Sequence, residues 1–478
     1  MSLKDKAIKS VFWSAVEQVG PRIVQFIVLV ILARLLMPAE FGLIGMLTVF
    51  IALGHIFLDS GFGSALIQKQ DATETHYTSV FYANLLLSLL TATALWEAAP
   101  WIARFYKQPA LVSLTRVLAF NFIFAALGVI QTTLMTKELD FKTQAKVRLI
   151  AVTGSGVIGI GMAFMHFGVW SLVGQTLSGT LLDSLTLWFF SRWRPGRNFS
   201  LSALRELFGF SSRLLGSGVL DALFRNAYNV AIGKLFAPSE LGYYTRARSI
   251  QQIPSQTMGG VVGRVAFPVF SRMQGEPERM KNAVRKALKT IALVNFPMMI
   301  GLIVTARPLV LVLLGKRWEP AVPFLQMLAI VGLFYPLSMV NLNVLLANGR
   351  SDLMFRLEII KKSMVALNIG ITWRWGIKAI IAGQIVTAIT SYYLNSYKNG
   401  DLIAYPFKAQ VTDLLPYMGV AGMMGGAVYM LHRLPFMNDA IMLMSQVVVG
   451  GILYVVVCRI CRLAMFEEVR NLFFAKIV

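Results

Sequence analysis

The sequence predicts an all-α integral membrane protein of about fourteen transmembrane helices, two parallel-repeat six-helix bundles around a central cleft plus two C-terminal helices. Three observations lead there. The chain is too apolar to coat itself in water, its apolar stretches recur at membrane-spanning length, and a ten-residue motif returns two hundred residues later.

Of 478 residues, 56% are hydrophobic and only 14% charged. A soluble chain carries about 25% charged residues. The remaining charge is lopsided, with 45 Lys and Arg against 23 Asp and Glu, a net +22. Such an excess suits nucleic acid, but in a membrane protein it has a simpler cause: basic residues collect in loops that stay in the cytoplasm. Two cysteines, Cys458 and Cys461, cannot build a disulfide framework. Lys4, Lys6 and Lys9 precede a first apolar stretch too long for a signal peptide, which reads as a first span.

Spans are expected at 11–36, 41–66, 78–98, 110–134, 147–167, 169–190, 213–235, 248–270, 286–306, 321–346, 355–373, 377–397, 412–431 and 438–458. Basic content tests the count. Of the 45 Lys and Arg, 29 fall in or beside connections on the side of the N-terminus and 12 on the other side. The remaining four, Arg22, Arg116, Arg225 and Arg264, are counted with the spans themselves. The bias places both termini in the cytoplasm and requires an even number of spans. The basic segments Arg192–Arg213 and Arg272–Lys289 are then cytoplasmic, within reach of anionic lipid heads.

Residues 33–42 read ARLLMPAEFG and residues 233–242 read GKLFAPSELG. Both copies end a span that starts in the cytoplasm, so the repeat is parallel. It sets expected boundaries of 1–198 for an N-terminal bundle, 199–402 for a second, and 403–478 for the added helices 13 and 14.

Other motifs resolve to packing. Gly154, Gly156, Gly159 and Gly161 have dinucleotide-binding spacing but lie inside a span, where small residues let helices approach. Cys458-x-x-Cys461 has no further cysteines to complete a metal site. The chain carries no P-loop, zinc-protease or nucleophile-elbow signature, so no catalytic residue, metal or cofactor is expected. Tryptophans 13, 96, 101, 193, 318, 373 and 375 sit near span ends, where an interfacial belt forms.

Charges inside spans are the functional signal, because each costs about 2.5–3.5 kcal/mol at mid-span on insertion scales. Glu17 and Arg22 flank Gly20-Pro21 in span 1, Asp59 ends span 2, and Asp183 is in span 6. Asp221 and Arg225 are four apart in span 7, spaced to pair on one helix face. Arg264 is in span 8, with Arg246 and Arg248 at its outer end beside Tyr243 and Tyr244. Spans 1, 2, 7 and 8 are the first two of each repeat, and a shared wet cleft is the simplest place for these groups. Arg22 and Arg225 lie too deep to snorkel, and an arginine fork donates two hydrogen bonds to a phosphate. Asp59 with Arg264 would form an inner gate. The two tyrosines belong either to the aromatic belt or to an outer mouth where they stack on sugar.

The segments LARLLMPAEFG (32–42), DSGFGSALIQ (59–68), RNAYNVAIGKLFAPSELGYYTRA (225–247) and GRVAFPVFSR (263–272) resemble the polysaccharide-transporter family. These are Wzx-type flippases of the multidrug/oligosaccharidyl-lipid/polysaccharide exporter superfamily, here most like colanic-acid-exporter-like lipopolysaccharide biosynthesis proteins. Tyr228 stands where an acidic residue would be expected. The resemblance implies a multi-pass protein of the bacterial inner membrane that turns a polyprenyl-diphosphate-linked oligosaccharide from the cytoplasmic to the periplasmic leaflet by alternating access. Membrane lipids are the expected surroundings, a polysaccharide polymerase complex an expected partner, and a monomer without nucleic acid the expected state; the acidic residues in the spans permit a coupling ion (proton or sodium), with the substrate gradient as the alternative drive. A cation-coupled multidrug exporter would want a net acidic cavity. A membrane polymerase or ligase would want a large outer loop, and a peptidoglycan-precursor flippase would share the mechanism but not the cargo.

Overall fold

A computed structural model describes residues 20–59, 61–433 and 438–474, and the apolar stretches within them are helices, some of them pairs of helices separated by a break. No strand occurs among the described residues. The chain divides into two compact units, Met1–Gly242 and Tyr243–Val478.

The first unit holds α1 (20–35), α2 (Pro38–Asp59), α3 (Phe62–Gln68), α4 (Glu74–Tyr106), α5 (Leu111–Ala126), α6 (Val129–Lys137), α7 (Phe141–Phe164), α8 (Trp170–Phe190) and α9 (Leu201–Leu235). Helix α10 (Pro238–Ser271) begins at its end. The second unit holds the rest of α10 with α11 (Pro277–Leu313), α12 (Val322–Ala347), α13 (Ser351–Thr372), α14 (Ile377–Ile403), α15 (Phe407–Met430), α16 (Asp439–Ile460) and α17 (Ala464–Phe474). Helix α9 belongs to the first unit because it packs on α2, α3 and α4. Compactness follows contacts, and a repeat follows sequence.

Nine of the described segments are long and apolar enough, by length and composition, to cross a membrane. They are α2 with α3, α4, α5 with α6, α7, α11, α12 with the short helix before it, α14, α15 with the turn after it, and α16. Helices α8, α9, α10 and α13 fall below that standard. They carry Asp183, then Asp221 and Arg225, then Arg246 and Arg248, then Arg356 and Lys361, the polar residues that interrupt their apolar runs.

The repeated motif has a physical explanation. Pro38 and Pro238 open their helices, where a missing N–H costs nothing. Glu40 reaches back to accept the Met37 N–H at 2.6 Å and places negative charge at the positive end of α2. The glycines serve a contact. A Cβ on Gly42 would lie 1.8 Å from the Pro238 carbonyl oxygen, and one on Gly242 would lie 1.9 Å from the Pro38 oxygen. The two copies therefore meet reciprocally, each glycine receiving the other copy's proline carbonyl.

The run Gly154-x-Gly156-x-x-Gly159 is a packing seam, as its place in a span suggested. Added Cβ atoms would lie 2.7 Å from Leu182, 2.4 Å from Val28 and 2.8 Å from Gln175, so α7 is close against α8 and α1. In the second unit, α11, α12, α14, α15 and α16 surround a buried apolar core that includes Cys458. Cys461 is exposed.

Trp318 departs from the expected aromatic belt. It is fully buried and meets Tyr243 edge-on at 6.0 Å. Tyr244 is also fully buried and exchanges a hydrogen bond with Gln384 at 3.3 Å. Nearness to a span end in sequence does not say which way a ring points.

Gly42→Ala and Gly242→Ala should each cost about 1–3 kcal/mol, the usual range for overpacking a close contact. Gly161→Ala is the control, because a Cβ there meets nothing within 4 Å. Melting temperatures in detergent check this, and equal stability of all three variants would contradict the contact.

Candidate functional site

Two broken helices open a cavity inside the first unit. The stretch expected as one span at 41–66 stops at α2 and resumes as α3 after Gly61, whose φ of 76° suits a residue without a Cβ. The stretch expected at 110–134 breaks between α5 and α6 at Leu127-Gly128. A break in a membrane frees carbonyls that must find donors. Ser184 Oγ donates to the Phe124 carbonyl at 2.6 Å, and Trp188 Nε1 to the Leu127 carbonyl at 2.7 Å.

The resulting cavity measures about 1210 Å³. Its wall takes Arg22 and Gln25 from α1, His55 from α2, Ser64 from α3, Gly128 and Thr132 beside and in α6, Arg148 from α7, Thr180 and Asp183 from α8, and Gly218 from α9. It is both roomy and polar enough to hold water. Arg22 and Arg148 against Asp183 leave the described lining with one net positive charge.

A hydrogen-bonded chain crosses three helices at this wall. Thr180 Oγ1 donates to Asn121 Oδ1 at 2.6 Å, and Asn121 Nδ2 lies 3.1 Å from His55 Nε2. An amide nitrogen only donates, so Nε2 accepts and the imidazole carries its proton on Nδ1. Phe122 holds the ring edge-on at 5.5 Å.

Outside the spans, Glu206 at the start of α9 is tied to the α3–α4 connection by Lys69 at 3.1 Å and His76 at 3.4 Å. These hydrogen bonds hold the Glu206 carboxyl below the usual carboxylate range, Lys69 first and His76 second. Lys137 Nζ donates to the Lys69 carbonyl at 2.8 Å and to Tyr77 Oη at 3.1 Å, closing the same end.

Of the residues expected in a cleft, the structure brings Arg22 and Asp183 into one cavity. Asp221 and Arg225 pair at 2.8 Å, as their spacing suggested, with side chains 49% and 69% exposed and not on this cavity's wall. Glu17 and the side chains of Asp59 and Arg264 lie outside the described residues. Arg246, Arg248, Tyr243 and Tyr244 belong to the second unit.

Sequence reasoning missed Arg148, His55, Asn121 and Thr180. Arg148 has a usable signal: it stands two turns into a helix that begins at Phe141.

Residues 31–323 match the family model described as polysaccharide biosynthesis protein. The chain is 31% identical to teichuronic acid biosynthesis protein TuaB of Bacillus subtilis, covering 83% of this chain and 81% of that one. It is 27% identical to lipopolysaccharide biosynthesis protein WzxC of Escherichia coli, covering 82% of each. It is 30% identical to succinoglycan biosynthesis transport protein ExoT of Rhizobium meliloti, covering 67% of this chain and 65% of that one. Among solved structures, the fold resembles the lipid II flippase MurJ in an inward closed conformation, with TM-score 0.77 and 14% identity over 96% of this chain and 99% of that one. It also resembles an inward-facing multidrug resistance MATE transporter, with TM-score 0.63 and 16% identity over 81% and 98%.

An open, wet cavity makes a chemical forecast. With Cys458 and Cys461 replaced by serine, Gln25→Cys and Thr132→Cys should react with a water-soluble thiol reagent roughly tenfold faster than Leu118→Cys, since exposure governs thiol access. Leu118 is 1% exposed. Equal rates at all three positions would contradict a water-accessible cavity.

Proposed function

The chain belongs to the polysaccharide biosynthesis protein family, and on that premise we propose that it turns a polyprenyl-diphosphate-linked oligosaccharide from the cytoplasmic to the periplasmic leaflet of the bacterial inner membrane. The family is one of transporters rather than enzymes. The observation that carries the proposal is the pair Arg22 and Arg148 in one cavity of about 1210 Å³. Two guanidinium forks suit a diphosphate, because each donates paired, charge-assisted hydrogen bonds. The volume exceeds the roughly 300–1,000 Å³ of ordinary small-ligand sites, leaving room for sugars. Gln25, Ser64, Thr132 and Thr180 supply the hydroxyls and amide that sugars need. The lipid tail stays in the bilayer, since each CH₂ moved into water costs about 0.8 kcal/mol.

In this reading, bundles 1–198 and 199–402 rock about the site and helices 403–478 are appended. Arg225 with Asp221, and Glu17, would face the cargo at other stages of the cycle. Asp59 and Arg264 would close the cytoplasmic side, and Arg246 and Arg248 the periplasmic side. Asp183 is the candidate for a coupling proton or sodium ion. Both termini lie in the cytoplasm, and a monomer delivers the unit to a polymerase complex. A multidrug exporter fits less well, because the described lining has a net positive charge and would repel cationic drugs.

Complementation of a strain lacking this gene tests the proposal through surface polysaccharide per unit of membrane-inserted protein. Arg22→Gln and Arg148→Gln should each lower it about tenfold or more, the effect of losing charge-assisted hydrogen bonds of about 1.5–3 kcal/mol. Asp59→Arg and Arg264→Asp should each impair export, and the double swap should restore part of it. Wild-type output from both arginine variants would remove the phosphate role, and a dead double swap would remove the gate.

A further inference from the structure

A second cavity, of about 510 Å³, lies wholly within residues 243–478. Lys281 and Arg285 reach it from α11, Lys408 and Asp413 from α15, and the turn at Ala404 and Tyr405 closes it. Helix α11 has 37 residues. At 1.5 Å per residue it is about 55 Å long, well beyond the ~30 Å hydrocarbon layer. Its basic first turns therefore stand outside the apolar slab, at headgroup level.

Four features of this cavity agree. Lys281, Arg285 and Lys408 outnumber its one lining acid, Asp413. Lys281 also pairs loosely with Glu278 at 3.4 Å, an exposed contact. Helix α15 begins at the cavity with no acid in its first turn and no side-chain cap, so its first N–H groups have no side-chain acceptor from that turn. Ala404 ends α14 with a left-handed φ of 51°, which turns the chain to close the cavity.

Finally, Arg285 is held in place. Its Nε and Nη2 donate to the two Asp413 oxygens at 2.6 and 2.5 Å, and Tyr405 Oη donates to the same carboxylate at 2.7 Å. That arrangement uses one edge of the guanidinium. Nη1 has no acceptor among the described residues, and the side chain is 49% exposed. Behind it, Gln410 donates to the Tyr405 carbonyl at 3.1 Å and to Asn341 at 3.0 Å, and Asn341 also accepts from Asn399 at 2.7 Å. This buried network fixes the floor of the cavity.

We propose that this cavity is a binding site for a phosphate-bearing anion, separate from the cargo cavity and taken by Lys281, Arg285, Lys408 and the start of α15. The anion is either the headgroup of an acidic phospholipid or a soluble phosphate. Binding would fasten α15 to α11.

Melting of the whole chain in nanodiscs tests this. Phosphatidylglycerol should raise the melting temperature by a few degrees over phosphatidylcholine, and K281Q/K408Q should lose the rise while melting like wild type in phosphatidylcholine. Thr412→Glu, on the exposed face of the same wall, should abolish it independently. A rise produced by millimolar inorganic phosphate in phosphatidylcholine discs, again lost in the variants, would support the site with a soluble ligand. No anion-dependent rise, or an equal rise in wild type and variants, would overturn the proposal.

Discussion

A proline carbonyl set against a glycine is the contact on which the first unit depends. Pro238 rests on Gly42 and Pro38 on Gly242, with no space for even a methyl group on either glycine. The contact fixes where α2 and α10 begin. Helix α9, which ends just before α10, then lies along α2, with Asn229 Nδ2 donating to Thr48 Oγ1 at 3.2 Å and Gly218 against Ile56. Gly218 and Leu215 thereby become part of the cavity wall. A one-residue change at either glycine would be felt along the whole of α9.

The cavity also depends on helices that stop early. A continuous helix satisfies its own backbone and presents only side chains. Breaking α2–α3 and α5–α6 turns backbone toward an interior space, and the α5–α6 break then needs donors, which come from α8. Ser184 and Trp188 are those donors. The same helix supplies Thr180 and Asp183 to the lining, so α8 both repairs the break and furnishes the site.

Much of this was legible in the sequence, and the failures have physical causes. Helix positions were readable because apolar runs of membrane length leave little choice. Arg22 and Asp183 stood out because a charge in an apolar run needs a partner or water. The Asp221–Arg225 pair followed from helical spacing, but spacing does not tell which helix face meets a cavity. Arg148 was passed over as a charge flanking a span, although it stands two turns into α7. His55, Asn121 and Thr180 gave no signal alone, since their meaning lies in a chain of bonds across three helices. The breaks at Gly61 and Gly128 were invisible because hydropathy runs on through them. The burial of Trp318 and Tyr244 was not legible, because chain position near a span end does not say which way a ring points.

The central claim is that the cavity carries a diphosphate-linked glycan across the membrane. Purified protein reconstituted into liposomes, with a fluorescent polyprenyl-diphosphate oligosaccharide in the bilayer, tests it through access of the glycan to an added membrane-impermeant glycosidase. With active protein, the protected inner-leaflet pool should become cleavable, and Arg22→Gln/Arg148→Gln should leave about half protected, as in protein-free liposomes. Protection unchanged by wild-type protein, or lost equally with the double variant, would contradict the account.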